Sequence, residues 1–173
     1  MQMVKRIIGG LFLFILFFWL FAPKQELYYF LEKKLKENNN IIISNETITD
    51  TWFGINIKNA DVYIEGAKMI HLSELKLNIF FFYNTLTING IETDEVIHDV
   101  APKNIENSII KYSVLNPLKV QLLAIGSFGV LDGNVALLEK KVHIKIPVVK
   151  DIKALKKFLK KDEKGVWNYE TNY

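Results

Sequence analysis

The cleanest period-two stretch of the chain runs through Leu75, Leu77, Ile79 and Phe81, with polar or charged positions between the first three. That spacing predicts a strand with one buried face. At its end Phe80 and Phe82 make the opposite face apolar too, so both sides need cover there. Upstream, Ile55 and Ile57 alternate in one register and Ala60, Val62 and Ile64 in the other. The change across Lys58-Asn59 predicts a bulge or tight turn. Ile41 to Ile43 is a brief β-branched strand, and Ile70 and Leu72 begin the segment that leads to Leu75.

Thr85 to Ile91 alternates again, with Asn89-Gly90 as either a turn or a bulge. From Leu118 to Ile146 the strands return as Val120, Leu122 and Ala124, then Val130 to Leu137, then Val142, Ile144 and Ile146. Leu138 to Lys141 reads as the connection of a hairpin. Between Glu92 and Pro117 the alternation loosens, and the stretch from Ile105 to Leu115 reads as a helical turn or two.

Two clearer helices are predicted. From Lys24 to Glu37, Leu27, Leu31 and Leu35 recur every four residues beside Tyr28, and Glu32 precedes Lys36 by four. Asn38-Asn39-Asn40 stops this helix, because asparagine tolerates turn conformations. Asp151 caps a last helix in which Ile152, Leu155, Phe158 and Leu159 form one stripe, flanked by Lys153, Lys156, Lys157, Lys160 and Lys161. Gly165 ends it, and Val166 to Tyr169 is a short final strand or tail. The lysines suit a solvated face, or attraction to anionic headgroups or an acidic partner.

The run from Ile7 to Ala22 carries no charge and follows Lys5 and Arg6 directly. At about 1.5 Å per residue it reaches roughly 24 Å, short of a hydrocarbon core of about 30 Å, so Met3 and Val4 must contribute and the basic pair must snorkel. This pattern predicts a single transmembrane helix with a cytoplasmic N-terminus, flanked by Lys5 and Arg6 on one side and Trp19 near the other. A cleaved signal peptide competes, but for a cut after Ala22 the minus-three position is Leu20 rather than a small residue, and Pro23 would follow the cut. The expected division is residues 1–23 as stub and anchor, 24–40 as a membrane-proximal amphipathic helix, and 41–173 as one β-rich domain outside the inner membrane.

Composition narrows the function. The chain has no cysteine, which removes disulfides and thiolate metal sites, and its net charge of +3 is mild, so no nucleic-acid partner is expected. His71 and His143 lie on the polar side of alternating strands. His98 neighbours Asp99, Glu92, Asp94 and Glu95, but without EF-hand spacing or an HExxH pattern, so a solvated loop outweighs a metal site for a hydrolase. Gly126-Ser127-Phe128-Gly129 is not a serine-nucleophile elbow, since glycine directly precedes the serine. The Asn45-Glu46-Thr47 sequon matters only in a eukaryotic secretory pathway. No catalytic residue, cofactor or metal is expected, and Phe80 and Phe82 are the candidates for apolar contact.

With these residues in view, the chain resembles the N component of bacterial type II secretion systems, the GspN-like family, itself similar to the AsmA-like envelope proteins. The likeness rests on the apolar start, Pro23 to Glu32, Ile55 to Gly66, the glycine-punctuated Gly126 to Val135, and Lys161 to Trp167. The resemblance implies a periplasmic domain anchored in a bacterial inner membrane, with a mainly β (α+β) fold: a curved antiparallel sheet with two helices around an apolar groove. It implies a non-enzymatic part of a secretion or envelope-biogenesis machine, with membrane lipid and protein subunits as partners. The alternative is a lipopolysaccharide-transport component similar to the single-pass anchored β-jellyroll subunit.

Overall fold

A computed structural model describes residues 2–80, 82–99, 101–147, 156, 158–163 and 165–172. Two helices open the chain, α1 (Gln2–Leu20) and α2 (Lys24–Asn39). Eleven strands follow: β1 (Ile41–Ser44), β2 (Thr47–Thr51), β3 (Gly54–Ile64), β4 (Ala67–Phe80), β5 (Tyr83–Thr93), β6 (Asn104–Ser113), β7 (Lys119–Gly126), β8 (Gly129–Ala136), β9 (Lys141–Ile146), β10 (Lys160–Lys161) and β11 (Trp167–Asn172). They form one antiparallel sheet in the order β1-β3-β4-β5-β6-β7-β8-β9-β11-β10, with β2 also on β3. From β3 to β9 each strand pairs with the next in sequence, so the sheet is a meander built by hairpins. The expectation of a mainly β antiparallel sheet with helices therefore holds.

The anchor does not. No helix among the described residues is long and apolar enough to cross a membrane. The α1 helix stops at Leu20 and includes Lys5 and Arg6, so its uncharged part, Ile7 to Leu20, rises only about 21 Å against a core of about 30 Å. The single-pass reading, with its cytoplasmic N-terminus, inner-membrane placement and periplasmic domain, is corrected on that finding. Lys5 and Arg6 are exposed positions in the first turns of α1, and Trp19 lies in its last turn.

Two other expectations change. The stretch from Ile105 to Leu115, read as helical turns, is mostly β6, because β5 and β7 pair with it on both sides along its length. The last helix from Asp151 falls largely on residues outside those described. Of its lysines, Lys160 and Lys161 form β10, paired with Asn168 and Trp167. The α2 helix ends as its asparagines predict, with Asn40 left-handed at φ 55 and its N–H donating to Leu35 O and Lys36 O.

Register settles which side chains share a face. Directly paired residues point the same way, so Ile55, Leu77, Leu86, Ile110, Leu122, Gly133, Ile144 and Tyr169 make one row across the sheet. Ile57, Leu75, Ile88, Ser108, Ala124 and Leu131 make a second row beside it. A third follows through Ala60, Leu72, Ile91 and Ile105.

Those last two rows are separated by three residues rather than two on four neighbouring strands. Simple alternation would put Ala60 opposite Ile57, yet Ile57 and Ala60 are buried in the same cluster with Leu72 and Leu75. The extra residue is absorbed in left-handed backbone, at Asn59 (φ 55) on β3 and Gly90 (φ 65) on β5, and by a register shift between Ile105 and Asn107 on β6. The register change at Lys58-Asn59 and the bulge at Asn89-Gly90 are thus parts of one irregularity that keeps the apolar face continuous.

The opposite face is polar over β3 to β6. Glu74 accepts hydrogen bonds from Asn56 Nδ2 (3.2 Å) and Asn89 Nδ2 (3.1 Å), and Asn107 Nδ2 donates to Asn89 Oδ1 at 2.7 Å. Lys76 Nζ lies 2.8 Å from Glu74. These donors, Lys76 first and Asn89 next, lower the Glu74 carboxyl to about 2.

Candidate functional site

A one-layer sheet with an apolar face has to cover it, and among the described residues the cover lies at its two ends. At the first end α2 lays Tyr28 over Ile55, Ile57 and Ala60, the core of one small cluster with Ile43, Ile48 and Leu72. The Tyr28 hydroxyl is buried without a hydrogen-bond partner among the described residues, and burial, then the Glu46 carboxylate, pushes its pKa up. Burial and Glu46 likewise raise the pKa of Glu32 on the same helix. At the far end Ala124, Phe128 and Ile146 form a second cluster, packed by Ile105, Leu131, Ile144, Leu159 and Trp167. Between the clusters Leu86, Ile88, Ile110 and Leu122 are only half-buried.

The accessible surface shows the same openness. It is 12172 Å² for this 20.1 kDa chain, against about 8,700 Å² expected for a compact monomer of that mass. Among the described residues no large side chain is fully buried. The exposed, largely apolar α1 contributes to the excess, as do the exposed Leu27, Phe30 and Leu31 of α2.

Against the second cluster the apolar face opens into a groove of about 510 Å³. Its floor is Ser108, Leu122, Ala124, Leu131, Ile144, Ile146 and Tyr169 from β6 to β11, and Ile105 and Pro102 border it. Phe128, held in the connection between Gly126 and Gly129, closes one side, and Phe158 and Leu159 close another. Phe128 sits there because Gly126 lets the chain pass against Asn104, where a Cβ would stand 2.4 Å from the Asn104 carbonyl oxygen. None of the described lining residues is charged, so the groove suits an apolar occupant, and its volume lies in the range of ligand sites.

The sequence-predicted contact residues lie elsewhere. Phe80 ends β4, opposite Tyr83, on the face away from the groove, and its ring meets Phe53 edge-on at 5.0 Å. Phe82 is in the turn that follows and is 57% exposed. They therefore belong to a hairpin end, while the groove is made by residues legible only as strand positions. A smaller apolar patch, Leu123, Ile125 and Val130, is exposed on the face opposite the groove.

A polar cluster lies near the first end. Asp61, buried at 8% exposure, accepts from Lys68 Nζ at 2.7 Å, His71 Nδ1 at 2.7 Å and Asn45 Nδ2 at 2.9 Å. Those donors, Lys68 foremost, hold its carboxyl well below the usual carboxylate range, and the same bond raises Lys68. Lys68 and His71 also border a shallow polar hollow with Glu92 and Thr93. The Thr93 hydroxyl there donates to the Pro102 carbonyl at 2.8 Å, so it is not poised to attack a substrate. Through these three partners Asp61 ties β3 to β4 and to the turn before β2.

His98 Nε2 lies 3.0 Å from the Thr93 carbonyl oxygen, and Asp94 accepts from Val96 N in a short 3-10 turn. Among the described residues no three His, Asp or Glu side chains gather where they could hold a metal. Asn45 of the sequon spends its amide on Asp61. Compared with protein-family models, with curated proteins and with solved structures, the chain matches none of them.

Proposed function

We propose that this protein binds an apolar chain, a lipid acyl chain foremost, on the open face of its sheet, and that its work is binding rather than chemistry. The observation that carries this reading is the uncharged groove of about 510 Å³, which continues into rows of half-buried Leu and Ile across the middle of the sheet. If a methylene takes up about as much space as the ~30 Å³ share of a liquid water molecule, the groove holds one chain of roughly seventeen carbons. Exposed apolar surface of this kind is costly in water at about 25 cal/mol per Å², and an acyl chain removes that cost. The resemblance to AsmA-like envelope proteins leads to the same reading. A protein subunit laid on the same face, as in a secretion assembly, is the competing occupant.

The test uses a fluorescent apolar probe, N-phenyl-1-naphthylamine, displaced by oleic acid. Leu122→Glu puts a charge in the groove floor, while Leu123→Glu puts the same charge one residue along, on the other face. Binding with micromolar affinity, lost in Leu122→Glu and kept in Leu123→Glu, supports the reading. Absence of probe binding to the unmutated protein, or equal loss in both variants, refutes it.

A further inference from the structure

We infer that the groove takes a single-chain amphiphile with an anionic head, and that Lys156 and Lys161 hold that head beside Trp167. The inference rests on the apolar-chain reading above and adds the polar end of the ligand.

The argument starts from how the segment around Phe158 is laid out. Phe158 and Leu159 enter the groove wall, while Lys156 and Lys161, close to them in the chain, are not among its described lining residues. Both ammonium groups lie over one indole: Lys156 Nζ is 5.1 Å and Lys161 Nζ 5.8 Å from the Trp167 ring centroid. Trp167 itself packs on the Ala124, Phe128 and Ile146 cluster and pairs with Ile146, so the indole joins the groove to its charged rim. Cation–π attraction holds each ammonium in place.

Neither of these two ammonium groups forms an ion pair among the described residues. The nearest acid in sequence, Asp162, accepts from Val166 N and Asn168 Nδ2, in the turn between β10 and β11. Lys160 pairs with Asn168, so it projects to the other face. An anion at the rim supplies the missing counter-charge while its chain lies on Leu122, Ala124 and Ile144. A carboxylate and a monoacyl phosphate share this chemistry, whereas the volume leaves little room for a second chain.

The experiment is a titration of the full chain with cis-parinaric acid, whose fluorescence rises on entering an apolar site, with competition by oleyl alcohol, oleic acid and oleoyl lysophosphatidate. The expected result is that at least one anion competes ten-fold or more better than the alcohol. In Lys156→Gln/Lys161→Gln that advantage disappears while the alcohol still competes, and Lys156→Arg/Lys161→Arg restores it. Stronger competition by the phosphate or by the carboxylate identifies the head. An alcohol equal to both anions, or an advantage that survives the double Gln substitution, overturns the head assignment and leaves the groove reading standing. No binding of any of these molecules overturns both.

Discussion

Phe128→Ala separates an open groove from a sealed core. The ring is 4% exposed and completes the cluster with Ala124 and Ile146, so its removal forfeits most of the burial of one aromatic side chain. Such truncations cost about 3–5 kcal/mol, with the upper values belonging to sites that leave a closed cavity. Here the vacated space runs into a groove already about 510 Å³ in volume, where water or a ligand can fill it. The expected loss is therefore at the lower end, about 3 kcal/mol, which corresponds to a fall in Tm of roughly 6–12 °C for a chain of this length. Urea unfolding followed by far-ultraviolet circular dichroism reads it as a lower midpoint at unchanged slope. A loss below about 1 kcal/mol would show that Phe128 is not the ring that closes the groove, and the assignment of its wall would fail.

Glu74 gives the pH dependence. Its carboxyl is lowered to about 2 in the fold from an ordinary 4.5, so its contribution to stability is complete above about pH 4.5 and is lost as pH falls toward 2. Thermal melting from pH 2 to 6 shows a steeper acid decline in the unmutated protein than in Glu74→Gln, and equal declines would refute the role of the Asn56, Asn89 and Lys76 bonds. Asp61, also held low, acts with the same sign, and Asp61→Asn flattens the same acid limb. Gly90→Ala destabilises by about 1–3 kcal/mol in the same urea assay, because φ is +65 there and the new Cβ would stand 2.5 Å from Ser73 Oγ. A neutral Gly90→Ala would remove the bulge that keeps Ile88 and Ile91 on one face.

The strands were legible where alternation is uninterrupted, as in Leu75 to Ile79 and Val120 to Ala124, because a half-buried sheet imposes period two. Where the face is kept by a three-residue step, the local pattern misleads. Ile105 and Ser108 on β6 share a face at helix-like spacing, and only pairing with β5 and β7 decides for a strand. The apolar run of α1 was plain in the sequence, but where the helix ends was not. The groove was hidden for another reason. Leu122, Ala124, Leu131 and Ile144 are ordinary strand residues one by one, and their common face exists only once β6 to β9 are in order. The aromatic run singles out Phe80 and Phe82 in the sequence, yet it ends at a hairpin, where Phe80 faces Phe53 rather than the groove and Phe82 is exposed. The lysines near the C-terminus read in the sequence only as a charged face; the approach of Lys161 to Trp167 depends on the pairing of β10 with β11.

The most direct measurement is photo-cross-linking with a palmitic acid that carries a diazirine near its methyl end, read out by peptide mass spectrometry. An acyl chain lying in the groove labels Leu122, Ala124, Leu131 and Ile144. Labelling confined to Leu123, Ile125 and Val130, or to Phe80 and Phe82, would place the chain on the wrong face and contradict the account.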